Sequence, residues 1–115
     1  MAQFIYKILT AEEWDKARHS DTFAGVGIDL EDGFIHFSTA EQVPGTLARF
    51  FAGRDDLVLL AIDLLAVGNE LKWEPASTGE VFPHLYGTLE LAAVRAVHSV
   101  ELDADGTHRV PDLGE

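Results

Sequence analysis

Aromatic and β-branched residues fill Phe4-Ile5-Tyr6-Lys7-Ile8, which reads as a strand. Thr10-Ala11-Glu12-Glu13 follows with the spacing of a capping box, Thr10 as N-cap and Glu13 reaching back. A short helix is expected to run from there to about His19 and to bury Trp14. From Ser20 to Asp32 no period holds, and the segment reads as an irregular loop. Gly33-Phe34-Ile35-His36-Phe37-Ser38 restores a period of two. That alternation sets Phe34, His36 and Ser38 on one face of a strand and Ile35 and Phe37 on the other. Ser38-Thr39-Ala40-Glu41 reads as a second capping box, so this strand should run almost directly into a helix. Val43, Leu47, Phe50 and Phe51 recur there at helical spacing, with Pro44 in the first turn and Gly53 as C-cap.

Leu57-Val58-Leu59-Leu60-Ala61-Ile62 is continuously apolar, the pattern of a central strand covered on both faces. Leu71-Lys72-Trp73-Glu74 reads as a short strand ended by Pro75. Phe82-Pro83-His84-Leu85-Tyr86-Gly87 reads as a turn or strand edge, because proline cannot donate within a central ladder. Val94 to Leu102 alternates as a strand does, and Asp105-Gly106 turns it into a short last strand around His108–Val110. Strands outnumber helices, and the helices fall early. The pattern predicts an α+β fold, a mixed and largely antiparallel sheet with two or three helices packed beside it. At 115 residues the length suits a single domain over residues 1–115.

Composition narrows the function classes. Hydrophobic residues at 47% and charged residues at 24% describe a chain able to build a core. No stretch approaches the roughly 18 apolar residues of a membrane span, and Met1-Ala2-Gln3-Phe4 lacks the basic flank of a secretory signal. A cytoplasmic location is expected, with no membrane partner. Without cysteine there is no disulfide, no thiolate metal site and no cysteine nucleophile. Eight basic residues against twenty acidic ones give a net charge of −12, a field that repels phosphate backbones and argues against a nucleic-acid partner. A small-molecule ligand remains compatible with that charge, an anionic one if Lys7, Arg49 or Lys72 converge on it.

Three places carry candidate chemistry. His36 and Ser38, projecting together from one strand with Phe34 beside them, suit binding the diol of a ribose or orienting a nucleophile. Phe82–Gly87 gathers two aromatics, a proline, a histidine and a glycine in six residues, which makes His84 and Tyr86 candidates. A packing corner would use the same residues. Glu74 follows Trp73 at a strand end, where an indole could desolvate the carboxyl and raise its pKa for acid or base work. His36, His84 and Glu74 are also a conceivable metal set, but no short-range ligand spacing supports one, and no metal is expected. There is no phosphate-cradling glycine loop and no Gly-x-Ser-x-Gly elbow.

Taken in order, Ile5-Tyr6-Lys7-Ile8, Trp14, Asp32-Gly33-Phe34-Ile35-His36-Phe37-Ser38-Thr39, Gln42, Leu57-Val58-Leu59-Leu60, Trp73-Glu74 and Phe82–Gly87 resemble a family of small bacterial proteins, domain of unknown function nine-five-two. That family is similar, more distantly, to the ADP-ribosyltransferase fold and its RNA 2′-phosphotransferase branch. The resemblance implies an ADP-ribosyltransferase-like fold and NAD as ligand, with His36 and Ser38 against the ribose and Tyr6 and Lys7 on the first-strand NAD motif. Members of the family usually read Ile-Tyr-His-Ile there. Lysine can neutralise a phosphate, but while charged it cannot accept a hydrogen bond as an imidazole does.

Three functions are compatible with these residues. One is an NAD-dependent ADP-ribosyl-type transferase with catalytic His36, Glu74 and His84 and with Tyr6, Lys7, Phe34, Ser38 and Tyr86 around the nucleotide. Another is a nucleotide- or metabolite-binding module without turnover, which the loss of the first-strand histidine favours. The third is a partner-binding domain using the aromatic corner Phe82–Tyr86.

Overall fold

In the computed structural model, which describes residues 3–113, short elements follow one another closely. Their order is β1 (Phe4–Thr10), α1 (Ala11–Ala17), β2 (Thr22–Phe23), α2 (Ile28–Asp32), β3 (Ile35–His36), α3 (Val43–Phe50), β4 (Leu57–Asp63), α4 (Leu64–Val67), β5 (Leu71–Pro75), β6 (Val81–Leu85), β7 (Leu89–Glu90), β8 (Val94–Leu102) and β9 (His108–Arg109). A 3₁₀ turn, Leu91–Ala93, leads into β8. Met1 and Ala2, half of the segment read for a signal, lie outside the described residues, as do Gly114 and Glu115.

The main sheet has the order β1-β4-β8-β9, with every pairing antiparallel. Its inner strand β4 is apolar throughout because its two faces feed two cores. Leu60 and Ile62 join Ile5, Leu9, Phe23, Ile35, Phe37 and Leu85 on one side. Leu57, Leu59 and Ala61 join Tyr6, Ile8, Val43, Leu47 and Val100 on the other, where α3 packs. A second sheet pairs β2 with β7, and a third has the order β3-β6-β5.

The fold is therefore α+β and antiparallel, with three sheets in place of one and four α-helices in place of two or three among the described residues. Thr10 and Glu13 form the expected capping box, with bonds of 2.9 and 3.1 Å in both directions, although α1 stops at Ala17 and leaves Trp14 only half-buried. The second box sits one residue later than its sequence spacing suggests. The Ser38 backbone is still paired with Tyr6, at 2.7 and 2.8 Å, so Ser38 remains extended. Thr39 and Gln42 make the reciprocal bonds instead, at 3.0 and 3.3 Å. Of the residues assigned to the buried face of α3, Val43 and Leu47 are enclosed, whereas Phe50 is 66% exposed.

Two further corrections bear on the site. The stretch Ser20–Asp32 is not wholly irregular, because it contains β2 and α2. The segment Phe82–Gly87 is not an edge either: β6 is the central strand of its sheet. Pro83 fits there because a strand residue turns its N–H and C=O toward the same neighbour. The Pro83 carbonyl accepts from Phe37 N–H at 3.0 Å, so its missing donor faces Phe37, just beyond the two-residue β3.

Candidate functional site

The β3-β6-β5 sheet sorts its side chains by alternation. Ile35, Leu85 and Leu71 lie in one row across the three strands and point toward the core, with Pro83 buried beside them. The next row, His36, His84 and Lys72, points away from it. The outer face thus brings both histidine segments together as a direct cross-strand pair, with ring centroids 5.2 Å apart. Phe34 lies against both rings, stacked on His84 at 4.2 Å and tilted over His36 at 4.6 Å, with Tyr86 at 5.0 Å. Lys72 extends over the Tyr86 ring, 5.0 Å from its centroid.

His36 is gripped by α2. Asp29, only 2% exposed, accepts from His36 Nδ1 at 2.7 Å, from His36 N–H at 3.1 Å, from Val26 N–H at 3.1 Å and from Lys7 Nζ at 2.7 Å. Burial alone would raise the Asp29 pKa, but the His36 hydrogen bond and the Lys7 charge outweigh it and hold the carboxyl at about 2. Lys7, facing the other way off β1 from Tyr6, is itself pushed below its ordinary range by burial, with Asp29 opposing. The second ring nitrogen, His36 Nε2, meets the exposed carboxylate of Asp32 at 3.0 Å.

His84 is held from the opposite side. Its Nδ1 bonds Glu74 Oε1 at 2.8 Å, and the Tyr86 hydroxyl donates to the same oxygen at 2.6 Å. These bonds, the one from Tyr86 foremost, depress the Glu74 pKa, while Glu74 raises that of Tyr86. The sequence reading of Glu74 as a carboxyl raised by Trp73 is thereby corrected. Trp73 pairs with Pro83 on the other face of the strand, and polar partners keep Glu74 ionised. No partner holds His84 Nε2 among the described residues, and since no buried polar side-chain atom is left unpaired there, that nitrogen reaches solvent.

Of the sequence-derived candidates, Phe34, His36, Glu74, His84 and Tyr86 converge on this face. Tyr6, Lys7 and Ser38 do not line it. Tyr6 is buried in the core beneath α3, Lys7 is engaged by Asp29, and the Ser38 hydroxyl bonds Thr46 on α3 at 3.0 Å. Gly87 gives close approach to the Glu70 side chain of the same chain. Asp29 was missed, since it falls in a stretch without periodicity, and Asp32, which opens the motif Asp32–Thr39, was given no role of its own. On α2 the usual polarity is inverted, with Ile28 and Leu30 57% and 65% exposed around a buried aspartate. The surviving signal was the glycine flanking. Gly25, Gly27 and Gly33 all have positive φ, and a Cβ on Gly25 would stand 2.7 Å from that of Asp29.

No set of three histidine or carboxylate side chains is arranged to hold a metal ion among the described residues. Two shallow hollows, of about 520 and 490 Å³, lie elsewhere, the first beside Leu57 and Val100 and the second beside Trp14 and Arg95. The candidate residues line neither of them. No helix among the described residues is long and apolar enough to cross a membrane.

The model of one family, described as "Protein of unknown function (DUF952)", matches residues 8–97. Among solved structures, the crystal structure of protein CC0527 from Caulobacter crescentus is similar at a TM-score of 0.86 with 45% identity, over 92% of this chain and 93% of that one. A double methionine variant of CC0527 gives the same values. Its solution structure gives a TM-score of 0.81 with 46% identity, over 90% of each chain. The chain has no match among curated proteins.

Proposed function

This chain belongs to that family, and we propose that the outer face of β3-β6-β5 binds a ribosyl nucleotide of the NAD type and transfers its ribosyl group to a small acceptor. One observation carries the reading. Two imidazoles lie 5.2 Å apart on one face, each with Nδ1 fixed by a carboxylate. A histidine held this way keeps its orientation; His84 offers Nε2 for chemistry, while that of His36 meets Asp32. The residues suit the ribose end of such a ligand: Phe34 and Tyr86 present flat surfaces, and His36 can meet a hydroxyl. For a phosphate, Lys72 is the cation on this face outside any carboxylate pair among the described residues.

Cleaving the nicotinamide–ribose bond sends the bonding electron pair out with neutral nicotinamide and leaves positive charge on the ribosyl carbon and ring oxygen. Glu74, kept ionised by Tyr86 and His84, supplies the negative charge that stabilises this state. His84 Nε2 takes the proton of the acceptor hydroxyl as its oxygen bonds to the ribosyl carbon. His36 helps to hold the ribose–phosphate end of the ligand in place. The distant similarity to the ADP-ribosyltransferase fold belongs to this proposal and is supported by the placing of His36 beside a second histidine and a carboxylate.

A second reading, nucleotide or metabolite binding without turnover, is favoured by Lys7. Where the transferases carry a first-strand histidine, this chain buries a lysine against Asp29. Thermal unfolding with millimolar NAD, for the wild type and His36→Ala, tests the shared site, and nicotinamide release by the wild type and His84→Asn tests turnover. A rise in Tm that His36→Ala loses, with release that His84→Asn abolishes, supports the transferase. The same rise without release supports the binding module. No rise in either folded protein refutes the NAD-using transferase and leaves binding of another metabolite or of a protein partner.

A further inference from the structure

We propose that His36 Nε2 is an oxyanion subsite, and that Asp32 occupies it in the ligand-free protein as a stand-in for a phosphate or carboxylate of the ligand. The inference rests on the outer face being a ligand site. The two carboxylates on the His36 ring are unlike each other. Asp29 is enclosed and has four donors, among them the Lys7 ammonium. Asp32 is 40% exposed in its side chain, and among the described residues its side chain bonds His36 Nε2, at 3.0 Å. Asp29 is therefore a fixed anchor and Asp32 a displaceable cover. An imidazole has two ring nitrogens, and only when both carry protons can it donate to both carboxylates. Once the ring is neutral with its proton on Nδ1 toward Asp29, the Nε2 lone pair and the Asp32 oxygen repel, and the cover lifts.

Position within α2 supports the same division. Asp32 is the last residue of the helix, where unpaired backbone carbonyls disfavour a carboxylate. Gly33, at φ 83°, turns the chain immediately afterwards and returns it along β3 to His36. The bond to His36 compensates that placement. A ligand oxyanion gains the site by taking the place of Asp32, because the two negative groups repel when both are within a few ångströms of one ring.

Chemical modification tests this without any nucleotide. Diethyl pyrocarbonate acylates the neutral imidazole, so an oxyanion that holds a proton on Nε2 slows the reaction, and peptide mapping by mass spectrometry reads His36 and His84 separately at one fixed pH. Asp32→Ala is expected to speed His36 modification about fivefold, the effect of losing one close, half-exposed charge contact. His84 should change less than about twofold, a control for intact folding. In that variant, inorganic phosphate and acetate, tested separately, should slow His36 modification more than in the wild type, and the stronger protector identifies the oxyanion. An unchanged His36 rate in Asp32→Ala overturns the cover. A faster rate that neither anion slows overturns the oxyanion subsite. Either failure is distinct from failure of the NAD reading, which can fail while Asp32 still masks His36.

Discussion

Replacing Asp29 by alanine removes the one acceptor shared by Lys7 Nζ, His36 Nδ1 and the N–H groups of His36 and Val26. An ammonium is then left in the interior without its counter-charge, a change that costs about 3–5 kcal/mol. Against a total stability of about 5–15 kcal/mol, the expected fall in Tm is about 12–20 °C. The carboxyl supplies an independent figure. Its folded pKa of about 2 lies below the ordinary 3.8, and at about 1.4 kcal/mol per tenfold change in proton affinity it stabilises the fold by about 2 kcal/mol. Because the folded value is the depressed one, that contribution is present above about pH 4 and is lost as pH falls toward 2. Lys7 moves the other way in its effect: burial lowers its pKa, so enclosing the ammonium costs stability and offsets part of the gain. Lys7→Met with Asp29→Leu should accordingly recover at least about half of the single-variant loss. Urea unfolding of the wild type, Asp29→Ala and the double variant between pH 7 and pH 2 measures all of this. A loss below about 1 kcal/mol at pH 7, or a gap that stays constant down to pH 2, refutes the reasoning.

Gly25, at φ 111°, approaches Asp29 so closely that a Cβ would stand 2.7 Å from the aspartate Cβ, whereas a Cβ on Gly27 meets nothing within 4 Å. Gly25→Ala should therefore cost about 2 kcal/mol or more and Gly27→Ala about 1 kcal/mol, with equal losses in urea unfolding contradicting the packing argument. Tyr86→Phe removes the main group depressing Glu74, so the Glu74 carboxyl should titrate nearer its ordinary range by carbon-detected NMR. Conversely, Glu74→Gln should return the Tyr86 phenol toward its ordinary range in an ultraviolet titration. An unmoved Tyr86 titration would show that the 2.6 Å bond is not formed in solution.

Legibility followed the distance over which each feature is determined. Strands β1, β4 and β8 were readable because one strand carries its own pattern of buried positions, and β4, enclosed on both faces, betrays that in its unbroken apolar run. The meeting of His36 and His84 was not readable from spacing. It depends on the register Ile35↔Leu85 between two segments that each suggested chemistry separately. Pro83 concealed β6, since the rule against proline in a ladder fails where the neighbouring strand has already ended. Asp29 left the faintest trace. A buried carboxylate on a five-residue helix has no period to follow, and its partners Lys7 and His36 come from different strands.

The charges of the site constrain its ligand more tightly than its shape does. Lys7 neutralises Asp29 in the interior, so neither projects a net field outward. Besides the imidazoles, what remains on the face among the described residues is Asp32, Glu74 and Lys72, within a chain of net charge −12. Such a surface has no reserve of positive charge with which to draw in a polyanion. In the proposed reaction its carboxylates stabilise positive charge as it forms on the ribosyl carbon beside Glu74. An oxyanion of the same ligand can be held beside Lys72, or at His36 where the Asp32 carboxylate gives way. A ligand with a cationic ring at one end and an oxyanion at the other satisfies both conditions. A free polyphosphate satisfies one, and should bind this face more weakly than NAD at equal concentration.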